Sequence, residues 1–267
     1  MMAWRVVLID LDDTLISDTD ATESALLRAA QLARPLAIEP LGLAAAARYH
    51  ARERWHSSPV SDAATRLGIT SSAALCSEFP GEGDEMGKLR DYALEYRVGA
   101  WQDALEAVGK ADADFAFELA ERFVVERRGK HALFEDVQPV LDSLARTHRL
   151  AVVTNGPADL QREKIETTGL ELYVDAIVIS TEVGIGKPAA EPFERALELL
   201  EVGRGDAVVV GNSVQRDVAG ARAAGIPSVL LDRDGSVLMN SEEEFGPDLI
   251  IDSLLDLPEL LDARPPV

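Results

Sequence analysis

Cysteine is almost absent from this chain: Cys76 is alone among 267 residues. A disulfide within the chain is therefore impossible, and a reducing compartment, the cytoplasm, is the expected setting. Basic residues are scarce beside acidic ones, 26 Lys and Arg against 47 Asp and Glu, for a formal net charge of -21. A nucleic-acid binder needs a cationic face to displace phosphate counterions, and an anionic membrane surface asks for the same. Neither is an expected partner. No apolar run approaches the roughly 20 residues of a membrane helix, and Met1–Ile9 lacks the basic start and long apolar stretch of a secretory signal. The 4 histidines, His50, His56, His131 and His148, show no metal-ligand spacing and read as surface or capping residues.

What is present suits a packed core, with 47% hydrophobic and 27% charged residues. A small anionic substrate stays compatible with the acidic balance, because a metal ion and a few cations can override the global field locally.

Two textures divide the chain. Short, β-branched apolar runs stand at Val6–Ile9, Leu150–Val153, Ala176–Ile179, Ala207–Val210, Ser228–Leu231 and Leu249–Ile251. Continuous runs of this length suit strands buried on both faces. Helical patterns lie between them at Val137–Thr147, Asp159–Thr168, Pro192–Leu200 and Val214–Ala224, with Gly225 placed to end the last. Alternation of this kind predicts an α/β fold with a doubly wound parallel sheet. From about Ser17 to Lys130 strand signals vanish. Helical patterns run over Ala21–Ala33, Leu41–Trp55, Ser61–Leu67, Glu85–Arg97 and Ala113–Arg128, with Thr19 or Asp20 as a cap for the first and a turn-rich break at Phe79–Asp84. A crossover between parallel strands needs about a dozen residues, so the excess predicts an inserted all-helical domain. The expected division is residues 1–16 and 131–267 for the core and 17–130 for the insert. The proline-rich end, Arg264–Val267, is expected to fray.

The residues that carry chemistry cluster at strand ends, where open α/β sheets bind their ligands. Asp10 and Asp12 follow the first strand with one residue between them, and Thr14 comes next but one. Two carboxylates so close repel, and a hard divalent cation such as magnesium relieves them. The second strand ends in Thr154-Asn155-Gly156, offering a hydroxyl and backbone amides. Gly186-Lys187-Pro188 brings a cation, and Gly211-Asn212-Ser213 with Asp217 brings further oxygens. Each has a bland reading as a turn former, cap or solvated charge; their coincidence at successive strand ends argues for one site.

These ordered motifs, Asp10-x-Asp12-x-Thr14, Thr154, Lys187, then Asn212 and Asp217, resemble those of the haloacid-dehalogenase-like (HAD) superfamily. The resemblance covers the whole predicted core, and the helical insert resembles that family's C1-type cap. The stretch Thr154-Asn155-Gly156 with Gln161-Arg162-Glu163-Lys164-Ile165 is similar to a subgroup containing N-acylneuraminate-9-phosphatase and pyrimidine 5′-nucleotidases. The resemblance implies a magnesium-dependent phosphatase. Asp10 would attack phosphorus to give an aspartyl-phosphate. Asp12 would act as general acid and then base, with its main-chain carbonyl on the metal. Thr154 and Lys187 would hold the phosphoryl oxygens, helped by Thr14, Asn155 and Gly156. Asp10, Asp12, Asn212 and Asp217 would make up the metal site.

One position departs from the family pattern. The fourth motif usually reads Gly-Asp, and here it reads Gly211-Asn212. The amide oxygen can still meet a metal, without a charge, so weaker metal binding or a catalytically weakened binding protein is one alternative. A phosphomutase is another, since it uses the same residues and differs in the acceptor. A dehalogenase needs neither a leaving-group acid at Asp12 nor magnesium.

Specificity is expected from the insert. In the basic, aromatic stretch Arg48–His56, a helix places Arg48 and Arg52 on one face with Trp55 near it, a face suited to an anionic or ring-bearing leaving group or simply to solvent. Trp55, Trp101, Tyr92 and Tyr96 read as packing residues, Cys76 as a small buried hydrophobe, and Lys164 as a second lysine able to approach the site. The expected substrate is a small phosphorylated metabolite, a sugar phosphate or a nucleoside monophosphate. The sequence leaves the oligomeric state open.

Overall fold

The computed structural model describes residues 4–235 and 246–263, so Arg264–Val267 lies outside the described residues. Two compact units are present: Met1–Ser17, Ala132–Asn155 and Ile165–Val267 form the first, Asp18–His131 and Gly156–Lys164 the second.

The first unit is built on six parallel strands: β1 (Val6–Ile9), β2 (Arg149–Thr154), β3 (Ala176–Ile179), β4 (Ala207–Gly211), β5 (Ser228–Leu231) and β6 (Leu249–Ile251). Their spatial order is β3-β2-β1-β4-β5-β6, so the order reverses at β1. Side chains alternate across a strand. Val7 and Ile9 therefore join Val152, Val208 and Val210 on one face, while Val6 and Leu8 join Val153 and Val209 on the other. Both faces are covered by helices, which is why the strands are apolar throughout.

The second unit contains α1 (Asp18–Ala30), α2 (Pro40–His56), α3 (Ser61–Leu67), α4 (Ser71–Ala74), α5 (Asp84–Ala107) and α6 (Ala113–Arg127). All lie between β1 and β2 in the chain, as does α7 (Val137–Leu144) of the first unit. Small residues let α2 and α5 approach closely: Ala44, Ala47 and Ala51 share a core with Ala93, Tyr96, Ala100 and Ala104. Trp55, Trp101 and Tyr96 are buried there, and Trp55 Nε1 donates to the Ile69 carbonyl at 2.9 Å. Cys76 is buried too, and burial pushes its thiol up to about 11.

Helices depart from expectation in several places, and α7, expected to run to Thr147, ends at Leu144. α1 begins at Asp18, so Thr19 and Asp20 lie within its first turn; the acidic Asp18 and Asp20 complement the exposed N–H groups there. α5 runs on past Arg97 to Ala107. Gly99 resembles a stop in the sequence, yet a Cβ there would lie 2.5 Å from Arg54 Cζ. The glycine makes room for that guanidinium, which then pairs with Asp103 at 2.6 Å. The segment expected as one helix over Val214–Ala224 splits into a π-helical turn, Val214–Val218, and a short α-helix, Ala219–Ala224.

Beyond β2 the chain continues as α8 (Ala158–Thr167), and its first part, to Lys164, belongs to the second unit. There Lys164 is fully buried, 2.7 Å from Asp18. His131, expected as a surface or capping residue, has a side chain only 1% exposed, with Nε2 3.0 Å from Glu163. Among the described residues no helix is long and apolar enough to cross a membrane.

Candidate active site

The amide of Asp10 donates to the Val210 carbonyl at 2.9 Å, extending the β1–β4 ladder by one residue. The nucleophile candidate thus takes its place from the sheet. Beyond it the chain folds back on itself. The amides of Leu15 and Ile16 both donate to the Leu11 carbonyl, at 2.9 and 3.1 Å, and the Asp13 amide donates to Ile16 at 2.7 Å. Asp13 holds φ 57°, a left-handed conformation that Asp tolerates better than most residues. Buried Leu11, Leu15 and Ile16 anchor this turn, and Asp12 is half-buried within it. Thr14, fully buried, places Oγ1 3.2 Å from Asp10 Oδ2 and 3.4 Å from Asn212 Oδ1.

Lys187 uses all three ammonium protons. It donates to Asp10 Oδ1, to the Val153 carbonyl at 2.9 Å and to Asp217 Oδ1 at 2.6 Å. Burial alone would lower its pKa, but the carboxylates of Asp10 and Asp217 outweigh burial and raise it. The ammonium therefore stays charged beside Asp10. The Lys187 peptide is clamped by Asn155, whose Oδ1 accepts from Lys187 N at 2.8 Å and whose Nδ2 donates to Lys187 O at 2.9 Å. Thr154, at the end of β2, is 1% exposed.

Asp217 reaches this group because of Gly211. A Cβ on Gly211 would stand 2.3 Å from Asp217 Cγ, so only glycine admits the carboxylate. The π-helical turn brings Asp217 back beneath β4: its amide donates to Ser213 O at 2.8 Å, and its Oδ2 accepts from Ser213 N at 3.0 Å. Burial and the charge of Asp10 raise the Asp217 carboxyl above its ordinary value, with Lys187 opposing.

The donors here are oxygens. The carboxylate of Asp10 and the amide oxygen of Asn212 converge on one hydroxyl, that of Thr14. Among the described residues no cluster of three or more His, Cys, Asp or Glu could hold a metal. A sparse, all-oxygen set fits a hard cation that keeps much of its water, and does not fit zinc.

Asp10, Thr14, Asn155, Lys187, Asn212 and Asp217 are thus joined by hydrogen bonds in the first unit, with Thr154 preceding Asn155. Gly156, Arg48, Arg52 and Lys164 belong to the second unit. Gly156 has φ 139°, and a Cβ there would lie 3.1 Å from Gln161 Cδ. Arg48 Nη1 donates to Glu23 at 2.6 Å, whereas Trp55 turns into the core of that unit.

Two further residues, Arg233 and Asp136, escape sequence reading. Arg233 Nη2 donates to the Thr14 carbonyl at 2.9 Å and both terminal nitrogens pair with Asp136, at 2.8 and 3.0 Å. Its guanidinium also lies 4.1 Å from the centre of the Phe134 ring. The pair holds the far side of the Asp10–Thr14 turn. Its only sequence signal is that Arg233 follows the end of β5 closely.

The chain is similar to several known proteins. A phosphoserine phosphatase from Thermus thermophilus is 35% identical over 254 residues, covering 95% of this chain and 97% of the relative. An N-acylneuraminate-9-phosphatase from Rattus norvegicus is 35% identical over 172 residues, 63% of this chain and 68% of that one. Among solved structures, a 2-haloacid dehalogenase from Pseudomonas syringae pv. Tomato superposes with a TM-score of 0.62 at 29% identity, covering 97% of this chain and 98% of that one. The profile of the haloacid dehalogenase-like hydrolases matches residues 4–225, and the chain belongs to that hydrolase family.

Proposed function

We propose that the protein is a magnesium-dependent phosphatase that hydrolyses a small phosphate monoester through an aspartyl-phosphate on Asp10. The observation that carries this reading is the setting of Asp10: a carboxylate gripped by Lys187 and Thr14, at the end of a central strand, with a second carboxylate at Asp12. A nucleophile so held is fixed in direction, and phosphoryl transfer depends on positioning and charge.

In the first step Asp10 attacks phosphorus and the bond to the alcohol oxygen breaks. Asp12 gives that oxygen its proton. In the second step Asp12 takes a proton from water, which attacks phosphorus and releases phosphate and free Asp10. Lys187, charged and aligned by Asp217, offsets the phosphoryl charge, and the Thr154 hydroxyl with the amide of Asn155 holds the equatorial oxygens. Magnesium would be held by Asp10, Asn212 and the Asp12 carbonyl, with Asp217 orienting its shell, and would supply positive charge to the phosphoryl oxygens. The phosphatases among the relatives support a small phosphorylated metabolite as substrate, and the single cysteine supports a cytoplasmic setting.

The likeness to a haloacid dehalogenase favours one other reading, displacement of halide from carbon by the same Asp10. Asp12 decides between them, because halide leaves without a proton. The test is phosphate release from a panel of phosphate esters, and halide release from 2-chloropropionate, with magnesium or with EDTA. Phosphate release that needs magnesium and vanishes in Asp10→Asn is expected; halide release without phosphate release would replace the phosphatase reading.

A further inference from the structure

Lys187 stands in an irregular stretch, after the short helix Ser180–Val183 and before the helix Glu191–Leu199. Neither a strand ladder nor a helix fixes its peptide there. Pro188 follows it and has no N–H to lend to a turn. The lysine is only 4% exposed, so its own N–H and C=O cannot turn to water. Asn155 answers both, accepting through Oδ1 at 2.8 Å and donating through Nδ2 at 2.9 Å.

Lysine carries its charge on a flexible four-carbon stem, and such a cation is aimed only when both ends are held. The tip of Lys187 is held by the Val153 carbonyl at 2.9 Å, besides Asp10 and Asp217. The root is held by Asn155. Val153 lies in β2 and Asn155 directly follows it, so one strand end grips the lysine at root and tip. Position 155 must therefore offer a donor and an acceptor on one short planar group. Asparagine does so; an ionised aspartate of the same shape lacks the donor. The sequence places Asn155 among the groups that meet the phosphate. In the fold the residue is buried, and both polar atoms of its side chain are engaged with the Lys187 peptide.

We propose that Asn155, through its side chain, is a positioning residue for the phosphoryl transfer, acting through Lys187 and not on the substrate. It keeps the ammonium in place before the substrate arrives, as preorganised charge requires. The inference rests on the phosphatase reading above.

Two measurements on the full chain keep the inference and that reading apart. The first is blind to turnover: amide hydrogen exchange at Lys187, taken relative to the amides of β1. Exchange is expected to be slow in the wild type and faster by about tenfold or more in Asn155→Ala. The second is steady-state kinetics on an aryl phosphate, below the melting temperature of each variant. Asn155→Ala is expected to lower kcat by about 100-fold, the scale of a 1 Å misplacement, with KM within about twofold. Asn155→Asp keeps the shape and the acceptor and removes only the donor. It tests the same point with less disturbance, and kcat is expected to fall by about tenfold or more. In a Lys187→Met background, Asn155→Ala is expected to cost less than about threefold further. A raised KM with kcat unchanged, a loss that multiplies with that of Lys187→Met, or Lys187 exchange alike in wild type and variant overturns the inference. An aryl phosphate left intact by the wild type sinks the phosphatase reading instead, and the exchange arm still decides whether Asn155 places Lys187.

Discussion

At the scale of single residues, Gly211 and Asn212 set the behaviour of the site from the end of β4. Gly211 is there for space: a methyl group would lie 2.3 Å from Asp217 Cγ. Gly211→Ala is therefore expected to displace Asp217, release Lys187 from one of its two carboxylates and lower kcat by about 100-fold, the scale of a 1 Å misplacement. Steady-state kinetics checks this, and wild-type kcat would mean that Asp217 does not position Lys187. Asn212 offers the metal a neutral oxygen. Asn212→Asp adds a charge where the cation would sit, and the magnesium concentration giving half-maximal activity is expected to fall about tenfold. A magnesium titration with an unmoved or higher midpoint contradicts Asn212 as a metal ligand. The carboxylates and Lys187 were legible in the sequence because their chemistry names them and each comes within a few residues or a short turn of a strand end. The role of Gly211 was not, since a close approach is a property of the folded chain.

At the scale of elements, the strands were legible nearly to the residue. A parallel strand covered on both faces must be apolar without interruption, and β1, β3, β5 and β6 match the expected runs end to end. Helices were legible except where a glycine or a changed winding intervened. Gly99 in α5 serves a side chain on a neighbouring helix rather than a helix end. The π-helical turn at Val214–Val218 exists because Asp217 must return to Gly211, and hydrophobic spacing carries no trace of that need. The Arg233–Asp136 pair was invisible for the same reason, since its partners are 97 residues apart. It holds the Thr14 carbonyl, so Arg233→Ala removes a donor from that carbonyl and the counter-charge from Asp136, which keeps only Ser253 and the Leu254 amide. A loss of about 2 kcal/mol in unfolding free energy is expected, with kcat lowered more than KM because the Asp10–Thr14 turn loosens. Denaturant melts together with kinetics check this; unchanged stability and kcat would remove the pair from the account.

At the scale of the whole chain, acid is the weakness of the fold. Burial pushes the Asp18 carboxyl up, but Lys164 and Arg127 outweigh burial and hold it below its ordinary value. Its stabilising contribution is present at neutral pH and is lost as pH falls through that depressed value. His131 acts earlier. Burial, chiefly, keeps its imidazole neutral below the ordinary value of 6.5, although Glu163 pulls the other way. Between 6.5 and the depressed value the unfolded chain binds the extra proton, so stability falls as pH drops through that window. Thermal melts between pH 7.5 and pH 5 are expected to show a falling Tm, with a shallower slope in His131→Gln. An unchanged slope in that variant would place the acid sensitivity elsewhere.

The central claim is a covalent bond between Asp10 and phosphorus. Enzyme quenched during turnover of an aryl phosphate, reduced with borohydride and digested, reports that bond by mass spectrometry, because an aspartyl-phosphate is reduced to homoserine. The account predicts homoserine at position 10 when magnesium and substrate are both present, and aspartate there when either is withheld. Steady phosphate release with unreduced aspartate at position 10, or reduction at another carboxylate, would contradict it.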